Sequence, residues 1–153
     1  MRDLSIGHAA AASGVRVSTI RFYEERGLIP APPRSDGGRR VYDGQAVSRL
    51  RFIHHARDLG FSLEDIGSLL ALQGQPDSAC SAADSIARRH LAQIDRRIAQ
   101  LEGLRAELRR MTEGCDHGVV ATCEVIESLS NHALCASEHR AGNGVEKTRL
   151  GRN

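Results

Sequence analysis

At 153 residues the chain has room for one domain with an extension, or for a small domain plus an oligomerisation element. Aromatic residues make up only 3% and Trp is absent, so a core must be built mainly from Leu, Ile, Val and Ala, which suits helices better than a β-sandwich. The net charge of +2 says little, but residues 1–60 carry ten Arg against six acids while residues 61–114 and 115–153 are each at −1, so a nucleic-acid footprint would lie toward the N-terminal end.

Residues 5–13 place Ile6, Ala9, Ala10 and Ala12 at helical spacing, with Gly14 as C-cap and turn. A second helix opens at Val17–Ser18 and runs to about Arg26, where Gly27 and then Pro30, Pro32 and Pro33 stop it. Two short helices about a tight glycine turn read as a helix-turn-helix, although any compact αα-hairpin leaves the same pattern. In Arg34–Tyr42, Asp36-Gly37-Gly38 is a turn signal between segments that suit two short strands. A basic hairpin in this place is the wing of a winged helix, with Arg34, Arg39 and Arg40 able to meet phosphates; a solvated loop is the plainer alternative.

A third helix is expected over 44–57, with Ala46, Val47, Leu50, Ile53 and His54 on one side, and a fourth from Phe61 onward with Ser62 as N-cap. Gly74, Gln75 and Pro76 interrupt the chain. From about Ser81 to Thr112 there is no Pro, and Ala87, Leu91, Ile94, Ile98, Leu101, Leu104, Leu108 and Met111 recur in steps of three and four. A helix of about 30 residues spans about 45 Å, longer than a small domain needs. Its narrow apolar stripe reads as a coiled-coil dimer seam; a helix folded back on its own domain is the alternative. The expected fold is thus mainly α: a winged helix-turn-helix over 1–76, a dimerisation helix over 77–113 in an antiparallel coiled coil, a metal-binding loop and short helix (Glu124 to Ser130) within 114–135, and a disordered tail over 136–153.

No apolar run approaches the ~20 residues that span a bilayer, and Met1 to Ala12 does not read as a signal peptide, so a cytoplasmic location with no membrane partner is expected. There Cys80, Cys115, Cys123 and Cys135 would stay reduced and serve better as metal ligands or redox sensors than as disulfides. A helix of this length holds Cys80 and Cys115 of one chain roughly 50 Å apart. In an antiparallel dimer, however, Cys80 of one subunit meets Cys115 and Cys123 of the other, twice per dimer. Thiolates select soft or borderline ions, Cu(I), Zn(II), Cd(II), Pb(II) or Hg(II), over Mg(II) or Ca(II). Two thiols suit Cu(I); the third, Cys80, tilts the choice toward a divalent ion, and His117 offers a fourth ligand for Zn(II) or Cd(II). A helix beginning at Cys123 would turn its positive end toward a thiolate. C-x7-C is not a standard zinc-knuckle spacing, and free Cys is often a small buried hydrophobe. His132, Cys135 and His139 read as a surface thiol and two tail imidazoles. Cys115-Asp116-His117 could on paper supply a nucleophile and base, but neighbours on a glycine-flanked loop rarely do so, and no enzymatic activity is expected.

The chain resembles the MerR (mercury-resistance regulator) family. Thr19-Ile20-Arg21-Phe22-Tyr23-Glu24-Glu25-Arg26-Gly27-Leu28-Ile29 is similar to that family's recognition-helix signature, and Arg34-x3-Gly38-x-Arg40-x-Tyr42 to its wing. Phe61-Ser62-Leu63-Glu64-Asp65-Ile66 resembles its G-[FM]-[ST]-L-x-E/D-I segment, and the likeness covers about residues 4–130. Arg39 departs from it, since many relatives carry an aromatic residue there. The resemblance implies a homodimer on promoter DNA that activates RNA polymerase at a metal-resistance or efflux promoter by untwisting an overlong spacer when effector binds. It implies that Ser18, Thr19, Arg21 and Tyr23 approach the major groove and its backbone, that Arg34, Arg40 and Tyr42 hold flanking phosphates, and that Arg57 helps from a second wing. Cys80, Cys115 and Cys123 match the thiol ligands of the family's divalent-metal branch. The copper-sensing branch usually has Ser at the first position but has a C-x7-C loop, as here. The redox branch's C-x2-C-x-C-x5-C cluster is absent, although a thiol sensor of electrophiles or oxidants with no stable metal remains a further alternative.

Overall fold

Glycines, prolines and short polar caps punctuate this chain into helices, and the computed structural model describes residues 4–135. In order they are α1 (Ile6–Ser13), α2 (Val17–Glu25), α3 (Gly44–Asp58), α4 (Leu63–Gln73), α5 (Ser81–Glu113) and α6 (Glu124–Ser130), with single 3-10 turns at Val120–Thr122 and His132–Leu134. The chain divides into two compact units, Met1–Ala87 and Arg88–Asn153.

In the first unit α1 packs on α2 and α3, and α3 on α4. Ser5 caps α1 by accepting the His8 amide, and Gly14 ends it at φ 76°, a left-handed conformation that glycine adopts without penalty. Three residues later α2 begins, so the glycine sets the helix-turn-helix angle. At the far end of α2 the amides of Leu28 and Ile29 both donate to the Tyr23 carbonyl, which satisfies orphan acceptors and folds two core residues under the helix. Asp43 caps α3, accepting the Ala46 amide at 2.8 Å. Ser62 caps α4 through the Asp65 amide. Ala9, Ile20, Tyr42, Leu50, Ile53 and Ile66 form the centre of the core. On α3 the inward stripe is Val47, Leu50, Ile53 and Ala56. His54, expected on that side, instead has a side chain 47% exposed, 3.7 Å from Asp58: one turn beyond Leu50 the buried row passes through Ile53, and a polar imidazole is left to solvent.

The wing differs from the expected pair of strands. Among the described residues, only isolated antiparallel bridges occur, Arg34 with Arg40 and Leu4 with Tyr42. Val41 donates to the Pro33 carbonyl at 2.9 Å, but Pro33 has no amide to return the bond, so a ladder cannot extend past it. The second bridge, with both amides of Leu4 and Tyr42 donating at 2.9 Å, pins the return arm of the wing to the chain segment before α1.

The second unit is built on the greater part of α5. Leu91, Ile94, Ile98, Leu101, Leu104 and Leu108 are between 37% and 60% exposed, while Met111, at the end of the same series, is buried. The loop after α5 leads through Cys115 and Cys123 to α6 and the turn at His132–Leu134. The tail expected to be disordered, 136–153, lies outside the described residues, as does His139.

Candidate DNA-binding surface and metal site

On α2 the inward residues are Ile20 and Tyr23, which leaves Ser18 and Arg21 exposed and Thr19 half-buried. Tyr23, 6% exposed, thus sits in the buried core cluster and is not laid open on the outer face of the helix. The outer face continues in Phe22, with the Arg26 guanidinium stacked 5.1 Å from its ring centre. In the wing, Arg34 donates to the Gly38 carbonyl at 2.9 Å and stiffens the turn at which Gly38 takes φ 74°, while Arg39 stands exposed.

Beneath the wing lies a contact that sequence reasoning missed. Glu24, on the last turn of α2, accepts from Arg40 Nε at 3.1 Å and from the Tyr42 hydroxyl. Tyr42 is 0% exposed. Burial first, and then the hydrogen bond and charge of Glu24, push its hydroxyl pKa well above the usual tyrosine range. Tyr42 thus braces the wing from inside instead of holding a phosphate, because its only polar atom is committed to a carboxylate. Nothing local in the sequence marks it, since the motif carries two adjacent acids, Glu24 and Glu25, against two arginines. Two further arginines act locally in ways not foreseen: Arg49 donates to the Leu28 carbonyl at 2.6 Å and Arg51 to the Ala12 carbonyl at 2.8 Å. Arg57 is exposed and donates an Nη1 hydrogen bond to the Phe61 carbonyl at 2.8 Å.

The cysteines occupy the ends of helices. Cys80 is exposed and its carbonyl accepts the Asp84 amide, at the start of α5. Cys115 and Cys123 are half-buried on either side of the loop that follows α5, and Cys123 is the N-cap residue of α6. Between them His117 is exposed with φ 57°, an uncommon left-handed position for a side-chain-bearing residue, and Asp116 accepts the Gly118 amide at 3.1 Å. Within one chain, and among the described residues, no three His, Cys, Asp or Glu side chains come together as a metal-holding group. The donor set on offer is dominated by thiols, which fits a soft or borderline ion and not a hard one.

Cys135 and the end of α5 belong to a polar cluster. Arg110 donates to Glu107 at 2.6 Å, Glu124 at 2.7 Å, the Leu134 carbonyl at 3.2 Å and Ser128 at 3.4 Å. The hydrogen bond to Glu107 is the main cause of a raised Arg110 pKa. Burial, followed by the charge of Glu107, pushes the Cys135 thiol up, so this cysteine is held in its neutral form more firmly than an exposed one.

Two family models match the chain: "MerR HTH family regulatory protein" over residues 4–73 and "MerR, DNA binding" over residues 47–111. Heavy metal-dependent transcription regulator 2 of Rhizobium meliloti (strain 1021) is 37% identical over 128 residues, covering 84% of this chain and 87% of that protein. This chain belongs to the MerR family. Among solved structures, the regulator PbrR691 of Ralstonia metallidurans CH34 in complex with lead(II) superposes with a TM-score of 0.74 at 33% identity, covering 82% of this chain and 98% of that one. MerR from Bacillus megaterium MB1 in complex with mercury(II) gives 0.65 at 28% identity, covering 84% and 100%. Membership of the MerR family makes the chain a DNA-binding transcription regulator of helix-turn-helix type. No helix among its described residues is long and apolar enough to cross a membrane.

Proposed function

We propose that this MerR-family chain is a homodimeric, metal-responsive activator whose effector is a soft divalent ion, Zn(II), Cd(II), Pb(II) or Hg(II). The ion is held by Cys115 and Cys123 of one protomer together with Cys80 of the partner subunit, with His117 as an additional ligand. One observation carries this reading: α5 keeps six large apolar side chains exposed along its length, with Cys80 at its start and Cys115 and Cys123 just past its end. Pairing two such faces head to tail removes the apolar row from water. It also brings the exposed thiol of one chain to the two half-buried thiols of the other. That the lead(II)- and mercury(II)-bound proteins share this fold supports the choice of effector class.

On the DNA side, Ser18, Thr19 and Arg21 meet the groove and its backbone, and Arg34, Arg39, Arg40 and Arg57 meet phosphates, with Tyr23 and Tyr42 supporting them from the core. Distorting a promoter costs on the order of a few kcal/mol. Occupancy of a site that differs between two dimer conformations can supply a bias of that size. RNA polymerase then finds the promoter elements in register at a metal-resistance or efflux gene in the cytoplasm.

The second reading, a Cu(I) regulator using Cys115 and Cys123 alone, is favoured by the seven-residue spacing and by the contrast between two half-buried thiols and an exposed Cys80. Transcription from a promoter carrying the operator, reconstituted with RNA polymerase and titrated with each ion, tests both. Output should rise with at least one divalent ion, and Cys80→Ser should abolish that rise. If Cys80→Ser responds like the parent chain and only Cu(I) activates, the divalent assignment is wrong.

A further inference from the structure

The loop between Cys115 and Cys123 is tied at its base by a single carboxylate. Glu124 directly follows Cys123, and its Oε1 receives Arg110 Nη1 at 2.7 Å. Its Oε2 fills the space that a Cβ on Gly114 would occupy, and Gly114 directly precedes Cys115. Gly114 has no left-handed backbone angle; what it provides is room. The arginine is itself anchored. Glu107, on the preceding turn of α5, is only 4% exposed and takes Arg110 Nη2 at 2.6 Å. A carboxylate so buried must be paired, so it dictates where the guanidinium lies. The same Nη2 also lies 3.4 Å from Ser128 Oγ on α6 and 3.2 Å from the Leu134 carbonyl beyond it, and Nε donates to Glu107 as well. The planar fork of Arg suits this many-partner role in a way Lys does not.

From this geometry we propose that Arg110, Glu124 and Gly114 form a latch that holds the Cys115–Cys123 loop closed before any ion arrives. They are positioning residues for the thiol site, and the inference rests on the metal-responsive reading above. Closing the loop in advance removes part of the ordering cost from the binding step, which shows as affinity. Residues that orient ligands without touching the metal typically change affinity by about 10–100-fold when altered. The latch also predicts a dependence between sites. Gly114→Ala should weaken binding by displacing Glu124, although the backbone at this position has no positive φ and accepts alanine without strain. Once Glu124 is removed, Gly114→Ala should do nothing further.

The test uses full-length dimer and Cd(II) as probe, read by thiolate-to-cadmium absorption in competition with a chelator, alongside hydrogen exchange of the loop amides in the metal-free protein. Arg110→Gln removes the guanidinium from buried Glu107 and will cost stability, so Glu124→Ala is the cleaner variant, its side chain being 34% exposed. Expected are at least roughly tenfold weaker Cd(II) binding for Glu124→Ala and for Gly114→Ala, faster metal-free exchange across residues 115–123 in both, and no added effect in the double variant. Unchanged exchange in both single variants, or Gly114→Ala costing as much in the Glu124→Ala background as alone, overturns the latch whatever the metal affinity. Faster exchange in a protein whose parent chain shows no thiolate–cadmium band keeps the latch and removes the metal reading.

Discussion

Taking away the Glu24 carboxylate should loosen the wing more than taking away the Tyr42 hydroxyl, and the structure says by how much. Tyr42→Phe removes one hydrogen bond to a charged group, worth about 1.5–3 kcal/mol. Glu24 then keeps Arg40, and with 9% of its side chain exposed it regains little water, so the loss stays within that range. Glu24→Ala leaves the fully buried Tyr42 hydroxyl with no acceptor, about 1–3 kcal/mol, and dissolves an ion pair to an arginine whose side chain is 39% exposed, which adds at most about 1 kcal/mol. It also strips packing from the wing root. Glu24→Gln should fall between, since its amide oxygen still accepts from Tyr42. Urea unfolding at one fixed protomer concentration measures the order, because the stability of the proposed dimer would depend on concentration. Alkaline pH gives an independent check. The folded environment withholds ionisation of Tyr42, while the unfolded tyrosine ionises near its usual value of about 10. The stabilisation from neutral Tyr42 is therefore complete below about pH 10 and is lost as pH rises above it. Tyr42→Phe should flatten that alkaline decline. If Tyr42→Phe and Glu24→Ala unfold at the parent urea midpoint and show the same alkaline slope, the hydroxyl–carboxylate brace does not support the wing.

Two further outcomes follow from named contacts. Asp43→Ala deletes the side-chain cap of α3 and should cost about 1 kcal/mol, seen as a lower urea midpoint with an unchanged m-value. A carboxylate placed in the exposed apolar row, Ile98→Asp with Leu101→Asp, should yield a monomer by sedimentation velocity and abolish operator binding at concentrations where the parent chain is dimeric.

What could be read directly from the sequence were the features that local chemistry decides. Gly14 and Gly27 stop or turn helices because each takes a positive φ, and Ser62 advertises a helix start by its own hydroxyl. The period of three and four through Leu91 to Leu108 likewise announces a helix with one apolar face. Features set by partners distant in the chain stayed hidden. The Asp43 cap was masked by the strand-like residues before it, and the expected strands failed on the missing amide of Pro33. Glu24 meets residues 16 and 18 positions away, and no local rule says which of the adjacent acids Glu24 and Glu25 points inward. Gly114, just past the end of α5, leaves the space that Glu124 Oε2 fills, which no local pattern shows.

The cysteines mark where a single chain's logic ends. Periodicity along α5 can say that a face lacks a partner, and thiol chemistry can say which ions suit the donors. Neither says that the two facts concern the same surface. In the proposed function they are joined by order along the chain: Cys80 precedes α5 and Cys115 and Cys123 follow it, so a head-to-tail seam that buried the row would also complete the site. A regulator built this way couples assembly to sensing. Any substitution that weakens the seam should therefore lower metal affinity without touching a ligand, and any that weakens the latch should lower it without touching the seam.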